Sequence, residues 1–178
     1  MDTFETLKKE FLEGKIEPKH WLGDSLTRFD LYQSYGKECE SITEFGVFTG
    51  SSTVAFLNTH PKKMRGYDIT AEHFHLKPRI QKICERENID YEFIVGHSCK
   101  VEIDETDLLF IDSQHTYEVI TKELELHNEK VKKYIIAHDT TSFPRVFEGI
   151  KDFLENNDNW EIRYRCEIRD GVTVLKRK

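Results

Sequence analysis

Short apolar runs alternate with longer amphipathic stretches from Ser41 onward, and this alternation is the main signal in the chain. The runs 41–45, 64–67, 91–95, 108–111 and 134–137 predict strands. Between them, 51–58, 71–88, 117–131 and 143–156 carry apolar residues at helical spacing, with Pro78 a break or a late start in the second stretch. Residues 97–105 are charged and read as a loop with at most one helical turn. Strands alternating with helices imply parallel pairing through right-handed crossovers. The end of the chain differs. Two strand patterns, 160–167 and 172–176, flank Ile168-Arg169-Asp170-Gly171, whose Asp-Gly step signals a hairpin. The expected fold is α/β, a Rossmann-like doubly wound sheet of about seven strands with helices on both faces. It is mostly parallel and closes with a C-terminal antiparallel hairpin.

Upstream of the first strand, two further helices are expected. One covers 3–13, with Phe4, Leu7, Phe11 and Leu12 on one face. The other runs from about 24 to 37, with Leu26, Phe29, Leu31, Tyr32 and Tyr35 apolar and Asp24 placed as its cap. Gly14, Pro18 and Gly23 separate them. No repeat or linker divides the chain, so 1–40 is expected to be a helical segment of the same domain as 41–178.

Composition narrows the classes. A chain of 178 residues with 38% apolar content, twelve Phe, seven Tyr and two Trp can build one core, which argues against disorder. The 26 basic and 33 acidic residues leave a net charge of −7, which argues against nucleic acid as a partner. No apolar run approaches the roughly 18 residues of a membrane span. The N-terminal stretch is charged throughout and lacks a secretory core. Cys39, Cys84, Cys99 and Cys166 lie far apart without a C-x-x-C pair, and read as idle thiols in a reducing compartment. The expectation is a soluble, cytoplasmic protein.

In an open α/β sheet, ligands bind beyond the carboxyl ends of the strands where the strand order reverses. The first strand runs into Glu44-Phe45-Gly46-Val47-Phe48-Thr49-Gly50-Ser51-Ser52. Gly46 permits a sharp turn and close backbone approach, and Gly50, Ser51 and Ser52 open a helix whose N–H groups favour an anion. Twenty-two residues after Gly46, Asp68 ends the second strand run, where a carboxylate can accept ribose hydroxyls. Read alone, the glycines serve only the turn and Asp68 caps the next helix; read together, the three point to a nucleoside-containing ligand. The spacing is G-x-x-x-G rather than G-x-G-x-x-G, and no phosphate-cradling G-x-x-x-x-G-K-[ST] is present.

The run Asp107-Leu108-Leu109-Phe110-Ile111-Asp112-Ser113-Gln114-His115-Thr116-Tyr117-Glu118 delivers Asp112 to the edge of a buried strand, with His115 opening the next helix. The fifth strand ends in His138-Asp139-Thr140-Thr141, which places Asp112, His138 and Asp139 at one edge. Carboxylates with at most one imidazole suit a divalent ion such as Mg²⁺ or Mn²⁺. Asp139 could instead cap a helix, and His115 could be a structural histidine.

The segment from Glu44 to Ser52 resembles the first motif of class I S-adenosylmethionine-dependent methyltransferases. The likeness is nearest to small-molecule O-methyltransferases of the macrocin and catechol types and to the cephalosporin-hydroxylase-like group. It covers 41–178, and so implies an S-adenosylmethionine-binding domain over that stretch. The resemblance implies Glu44, Gly46, Phe48, Gly50, Ser52, Asp68, Ser98 and Asp112 as cofactor residues. Of these, Gly46 and Ser52 would lie along the methionine moiety, Glu44 would support the loop or the ammonium group, and Asp68 would hold the ribose. Gly96-His97-Ser98 resembles the adenine-edge segment, with Ser98 the contact. The pattern I-D-x-x-H-x-Y-E followed by H-D-T resembles metal-assisted members, which implies a metal held by Asp112, His138 and Asp139 and catalysis by His115, Asp112 and Asp139. His138 stands where the nearest metal-binding patterns carry an acid.

The activity so implied is O-methylation of a small-molecule hydroxyl. Alignment of the oxygen with the methyl group, and a more anionic oxygen, are what the protein must supply. Two rivals share the fold: a metal-dependent hydroxylase-like enzyme and a non-catalytic nucleoside-ligand binder. Little chain remains for a lid, so either the pocket is open or a second copy completes it in a homo-oligomer. His73-Phe74-His75, the segment 129–133 and the basic tail 176–178 read as solvated surface, with 129–133 ending a helix.

Overall fold

In the computed structural model, which describes residues 2–16 and 28–178, the elements follow the expected alternation. They are α1 (Phe4–Leu12), α2 (Phe29–Gly36), β1 (Ser41–Phe45), α3 (Ser51–Leu57), β2 (Lys63–Asp68), α4 (Lys77–Glu87), β3 (Asp90–Val95), β4 (Thr106–Ile111), α5 (Tyr117–His127), β5 (Val131–His138), α6 (Pro144–Glu155), β6 (Trp160–Cys166) and β7 (Val172–Arg177). The sheet has the order β3-β2-β1-β4-β5-β7-β6. The first five strands pair in parallel, and β7 pairs antiparallel with both β5 and β6. Asp24, Pro18 and Gly23, expected as a cap and a break, lie outside the described residues.

All six residues of β4 are buried, as a central strand covered on both faces requires. Leu108 and Phe110 join the core under α1 to α4, whereas Leu109 and Ile111 join the core under α5 and α6. The same alternation divides Tyr134 and Ile136 from Ile135 and Ala137 in β5. Phe110 receives Tyr32 of α2 and Phe56 of α3 at centroid distances of 5.0 and 5.3 Å, both edge-on, which seats α2 and α3 on the centre of the sheet. No helix crosses between β3 and β4; Val101 and Ile103 of that loop enter the second core instead.

Two boundaries differ from expectation. Pro78 sits in the first turn of α4, where its missing N–H has no helical partner to lose, so the helix starts at Lys77 rather than near residue 71. The helix expected over 117–131 ends at His127; Asn128 Nδ2 donates to Leu124 O at 2.7 Å, and a 3-10 turn follows. Residues 131–133 therefore begin β5 instead of closing a helix. Val131 is fully buried, while Lys132 and Lys133 reach back to Glu105 (2.7 Å) and Asp107 (3.7 Å) beside the neighbouring strand. No helix of the described residues is long and apolar enough to cross a membrane. Cys39 and Cys84 are buried, Cys99 and Cys166 are half-buried, and all four are free.

Because the chain winds outward from β1 to β3 and then returns to β4, the strand order reverses between β1 and β4. The crevice at their carboxyl ends is where this architecture places a ligand.

Candidate active site

Gly46 leaves β1 with φ 87°, and a Cβ there would stand 1.9 Å from the carbonyl oxygen of Asp112. The turn after β1 thus presses on the turn after β4, a contact only glycine allows. Gly50, with φ 90°, opens α3 under the ring of Phe74. Between them Phe48 is also left-handed, at φ 46°, and its N–H donates to Asp68 Oδ2 at 2.9 Å. Asp68 Oδ1 accepts from Thr70 N at 3.2 Å. Asp68 therefore ties the ends of β1 and β2 together while each oxygen keeps a lone pair for a ligand hydroxyl. The ring of Phe48 is 40% exposed and lies 5.0 Å from that of His73. His73 and His75 face solvent around a buried Phe74, as a solvated pair should.

Glu44 points inward. Its two oxygens accept from Ser52 Oγ and from Thr53 Oγ1, the latter at 2.6 Å, so it pins the first turn of α3 to the strand. The Ser52 hydroxyl is thereby committed to Glu44, and what the loop offers outward is backbone. Burial pushes the Glu44 carboxyl up to about 7 against the pull of the Ser52 and Thr53 hydroxyls, with Asp112 and Asp68 adding to the rise. A folded value above the unfolded one of 4.5 means that the native state holds its proton longer. Glu44 therefore lowers stability progressively as pH rises from about 4.5 to about 7, and the full loss persists above that. Thermal melts at pH 5.5 and pH 8 should show a smaller drop for Glu44→Gln than for the wild type; an equal drop contradicts this account.

At the ends of β4 and β5 the expected residues meet. His115 Nε2 lies 2.8 Å from Asp139 Oδ2 and 3.2 Å from Asp112 Oδ1. His138 Nδ1 lies 3.4 Å from Asp112 Oδ1 and 3.3 Å from Asp139 Oδ1. Two carboxylates and two imidazoles thus interleave. Burial opposes the charge on Asp112, but His138 and His115 outweigh it and hold that carboxyl well below the usual range. Asp139 is lowered in the same way, against burial, by His115 and His138. Burial pulls His115 down, but its bonds to Asp112 and Asp139 push it up to about 9, and His138 is raised for the same reason. In this arrangement His115 is an imidazolium at neutral pH. The His115 ring stacks on Phe143 at 4.6 Å, and Phe143 N donates to Asp139 O, so one short turn fixes both. Asp139 itself is left-handed at φ 59°, an uncommon backbone for a residue with a side chain.

Sequence reasoning did not single out Glu123. It lies fully buried on α5, accepts from Ser113 Oγ beside Asp112, and has the Ser98 hydroxyl next to it. His127, one turn on, meets Ser98 O at 2.8 Å. Ser98 is thus buried and held to α5 from two sides. The signal was available: Ile120, Glu123, Leu124 and His127 follow the i, i+3, i+4, i+7 stripe, which puts an acid and a histidine on the buried face.

No protein-family model matches this chain, and no curated protein matches it in sequence. Solved structures do match. The O-methyltransferase TomG from Streptomyces achromogenes, in complex with S-adenosylmethionine, aligns at TM-score 0.65 and 14% identity, covering 100% of this chain and 91% of its own. The S-adenosylhomocysteine-bound methyltransferase PaMTH1 from Podospora anserina gives 0.65 and 12%, over 100% and 89%. The Pyrococcus abyssi tRNA (uracil-54, C5)-methyltransferase, in complex with S-adenosylhomocysteine, gives 0.62 and 14%, over 85% of this chain and 37% of that one. The chain shares the fold of these methyltransferases, seven strands with the C-terminal antiparallel hairpin. Within it the acceptors of the neighbours differ, so fold alone leaves the acceptor open.

Proposed function

We propose that this protein is an S-adenosylmethionine-dependent methyltransferase that modifies a hydroxyl of a small molecule with the help of a divalent metal. One observation carries the reading: the Gly46 turn and the Asp112 turn touch, so a nucleoside loop and an acid–imidazole cluster share one crevice. The fold neighbours with bound S-adenosylmethionine or S-adenosylhomocysteine support the cofactor. The residues fit it. Two left-handed glycines let the loop pack against the Asp112 turn and the Phe74 ring, Asp68 has lone pairs for ribose hydroxyls, and Ser98 lies after β3.

When bound, S-adenosylmethionine supplies a methyl group already activated on a sulfonium. The chain's part is to orient the acceptor oxygen and draw off its proton. Asp112, His138 and Asp139 each offer a donor atom, all within 4.8 Å of one another, and so would hold a divalent ion whose charge favours the ionised hydroxyl. His115 Nε2, the more exposed of the two imidazoles, is the atom we assign to moving the proton; it would accept once Asp112 and Asp139 hold an ion and no longer keep it an imidazolium.

The test is calorimetric titration of S-adenosylhomocysteine into metal-free protein, followed by a screen of hydroxyl acceptors with and without added metal. Binding in the roughly micromolar range is expected. No binding overturns the reading. Asp68→Ala should weaken binding by about 10–100-fold, as loss of hydrogen bonds from a charged acceptor implies; an unchanged affinity removes Asp68 from the ribose site.

A further inference from the structure

His138 sets the chemistry of the acid edge apart from an all-oxygen site. It is the last residue of β5, paired with Val172 of β7 and only 6% exposed. Its place in the strand puts it on the sheet face shared by Tyr134 and Ile136, the face covered by α2, and Tyr32 of that helix stands near it. The imidazole therefore reaches the carboxylates from the protein interior, where water does not readily take its place. Its Nδ1 is the atom that faces one oxygen of each acid, at 3.4 and 3.3 Å. Among the described residues, Asp112, His138 and Asp139 are the one set of three side chains whose donors converge closely enough for a metal.

Two physical arguments narrow the ion. Mg²⁺ is hard, prefers oxygen donors in a near-ideal octahedron and keeps several waters, so an obligatory buried nitrogen suits it poorly. Iron, cobalt and zinc ions gain from an imidazole donor. The spacing at His138 admits such an ion: a cation about 2.1 Å from each donor leaves donor–donor edges of about 3.0 Å at right angles and about 3.4 Å at the tetrahedral angle, and His138 Nδ1 stands 3.4 and 3.3 Å from the two acids. His115 meets the other oxygen of Asp139 at 2.8 Å and Asp112 Oδ1 at 3.2 Å, and so orients both carboxylates from beside the donor set.

We propose that His138 makes this site selective for a borderline divalent ion, Fe²⁺, Co²⁺ or Zn²⁺, over Mg²⁺. The inference rests on the metal-assisted reading above and goes beyond it by naming the class of ion and the residue that chooses it.

Co²⁺ and Mg²⁺ are the probes, titrated separately into metal-free, full-length protein by calorimetry, with the visible absorption of Co²⁺ followed in parallel. Co²⁺ should bind about 100-fold more tightly than Mg²⁺ in the wild type, and His138→Asp should narrow that ratio by about tenfold or more and change the Co²⁺ spectrum. Asp112→Asn should remove the Co²⁺ band, which locates the ion. Equal affinities for the two ions in the wild type overturn the inference whatever the variants do. So does an unchanged ratio in a His138→Asp protein that melts like the wild type; His138→Asn serves if the aspartate variant does not fold. Wild type that binds neither ion at millimolar concentration overturns the inference and the metal assistance together. The S-adenosylhomocysteine titration then decides separately whether the methyltransferase reading stands.

Discussion

Replacing Asp112 by Asn is expected to lower methyl transfer by about 10³-fold or more while changing S-adenosylhomocysteine affinity by less than about tenfold. Asp112 is the carboxylate that faces both imidazoles, His115 at 3.2 Å and His138 at 3.4 Å, through the same oxygen. Asparagine keeps the shape but removes the charge that holds the cluster together and would hold the ion. Alanine would remove the polar group as well and leave both imidazoles without a partner at that position, and breaking a largely buried pair in that way costs about 3–5 kcal/mol. The amide therefore separates chemistry from folding better than the methyl group does. The contact with the cofactor loop is made by the Asp112 backbone carbonyl beside Gly46, which the substitution does not touch. Two titrations and one turnover assay check the division of labour: Asp68→Ala should lose affinity, and Asp112→Asn should lose rate. If both lose affinity equally, the two acids do not have separate tasks.

How much of this could be read from the chain depends on the range over which each feature is encoded. Parallel strands buried on both faces leave continuous apolar runs, so β4 was legible as Leu108-Leu109-Phe110-Ile111 and Asp112 stood out as the polar residue that ends it. The terminal hairpin was legible from Asp170-Gly171, and Arg169 and Gly171 do take positive φ there. The start of β5 was not legible, because Lys132 and Lys133 imitate a helix C-terminus. Only the pairing with β4 and its flanking acids shows that Val131 is a strand residue.

In the site, the acids were legible but their bridging was not. That His115 lies between Asp112 and Asp139 follows from the β4–β5 register, a long-range property with no local pattern. The pairing of Ser52 with Glu44 is hidden for a related reason. It joins a strand to a helix across a turn whose shape depends on Gly46. The motif marks Ser52 as important, but the structure assigns its hydroxyl to the loop's own support. Likewise Phe143 reads only as the start of α6 until its ring is seen against His115.

Gly46→Ala should have the second large effect, and Gly14→Ala provides the comparison that explains it. Both glycines have positive φ, 87° at Gly46 and 64° at Gly14, so alanine meets the same kind of backbone penalty of about 1–2 kcal/mol at either position. Their surroundings differ completely. Among the described residues, a Cβ at Gly14 meets nothing within 4 Å, whereas at Gly46 it would lie 1.9 Å from the Asp112 carbonyl oxygen and 2.6 Å from the carbonyl carbon. Backbone cannot swing aside as a side chain can. Either turn must move, and each carries half of the site: Asp112 N is bonded to Phe45 O at 2.8 Å, and Gly46 N to Tyr67 O at 2.9 Å. Gly14→Ala should therefore lower the melting temperature by about 2–6 °C and leave S-adenosylhomocysteine binding unchanged. Gly46→Ala should lower it by about 5–15 °C and weaken binding in the fraction that remains folded. Thermal melts and calorimetry on both variants check this. Equal melting shifts would mean that strain at positive φ is the whole effect. The close approach of the two turns would then place no demand on the residue at position 46.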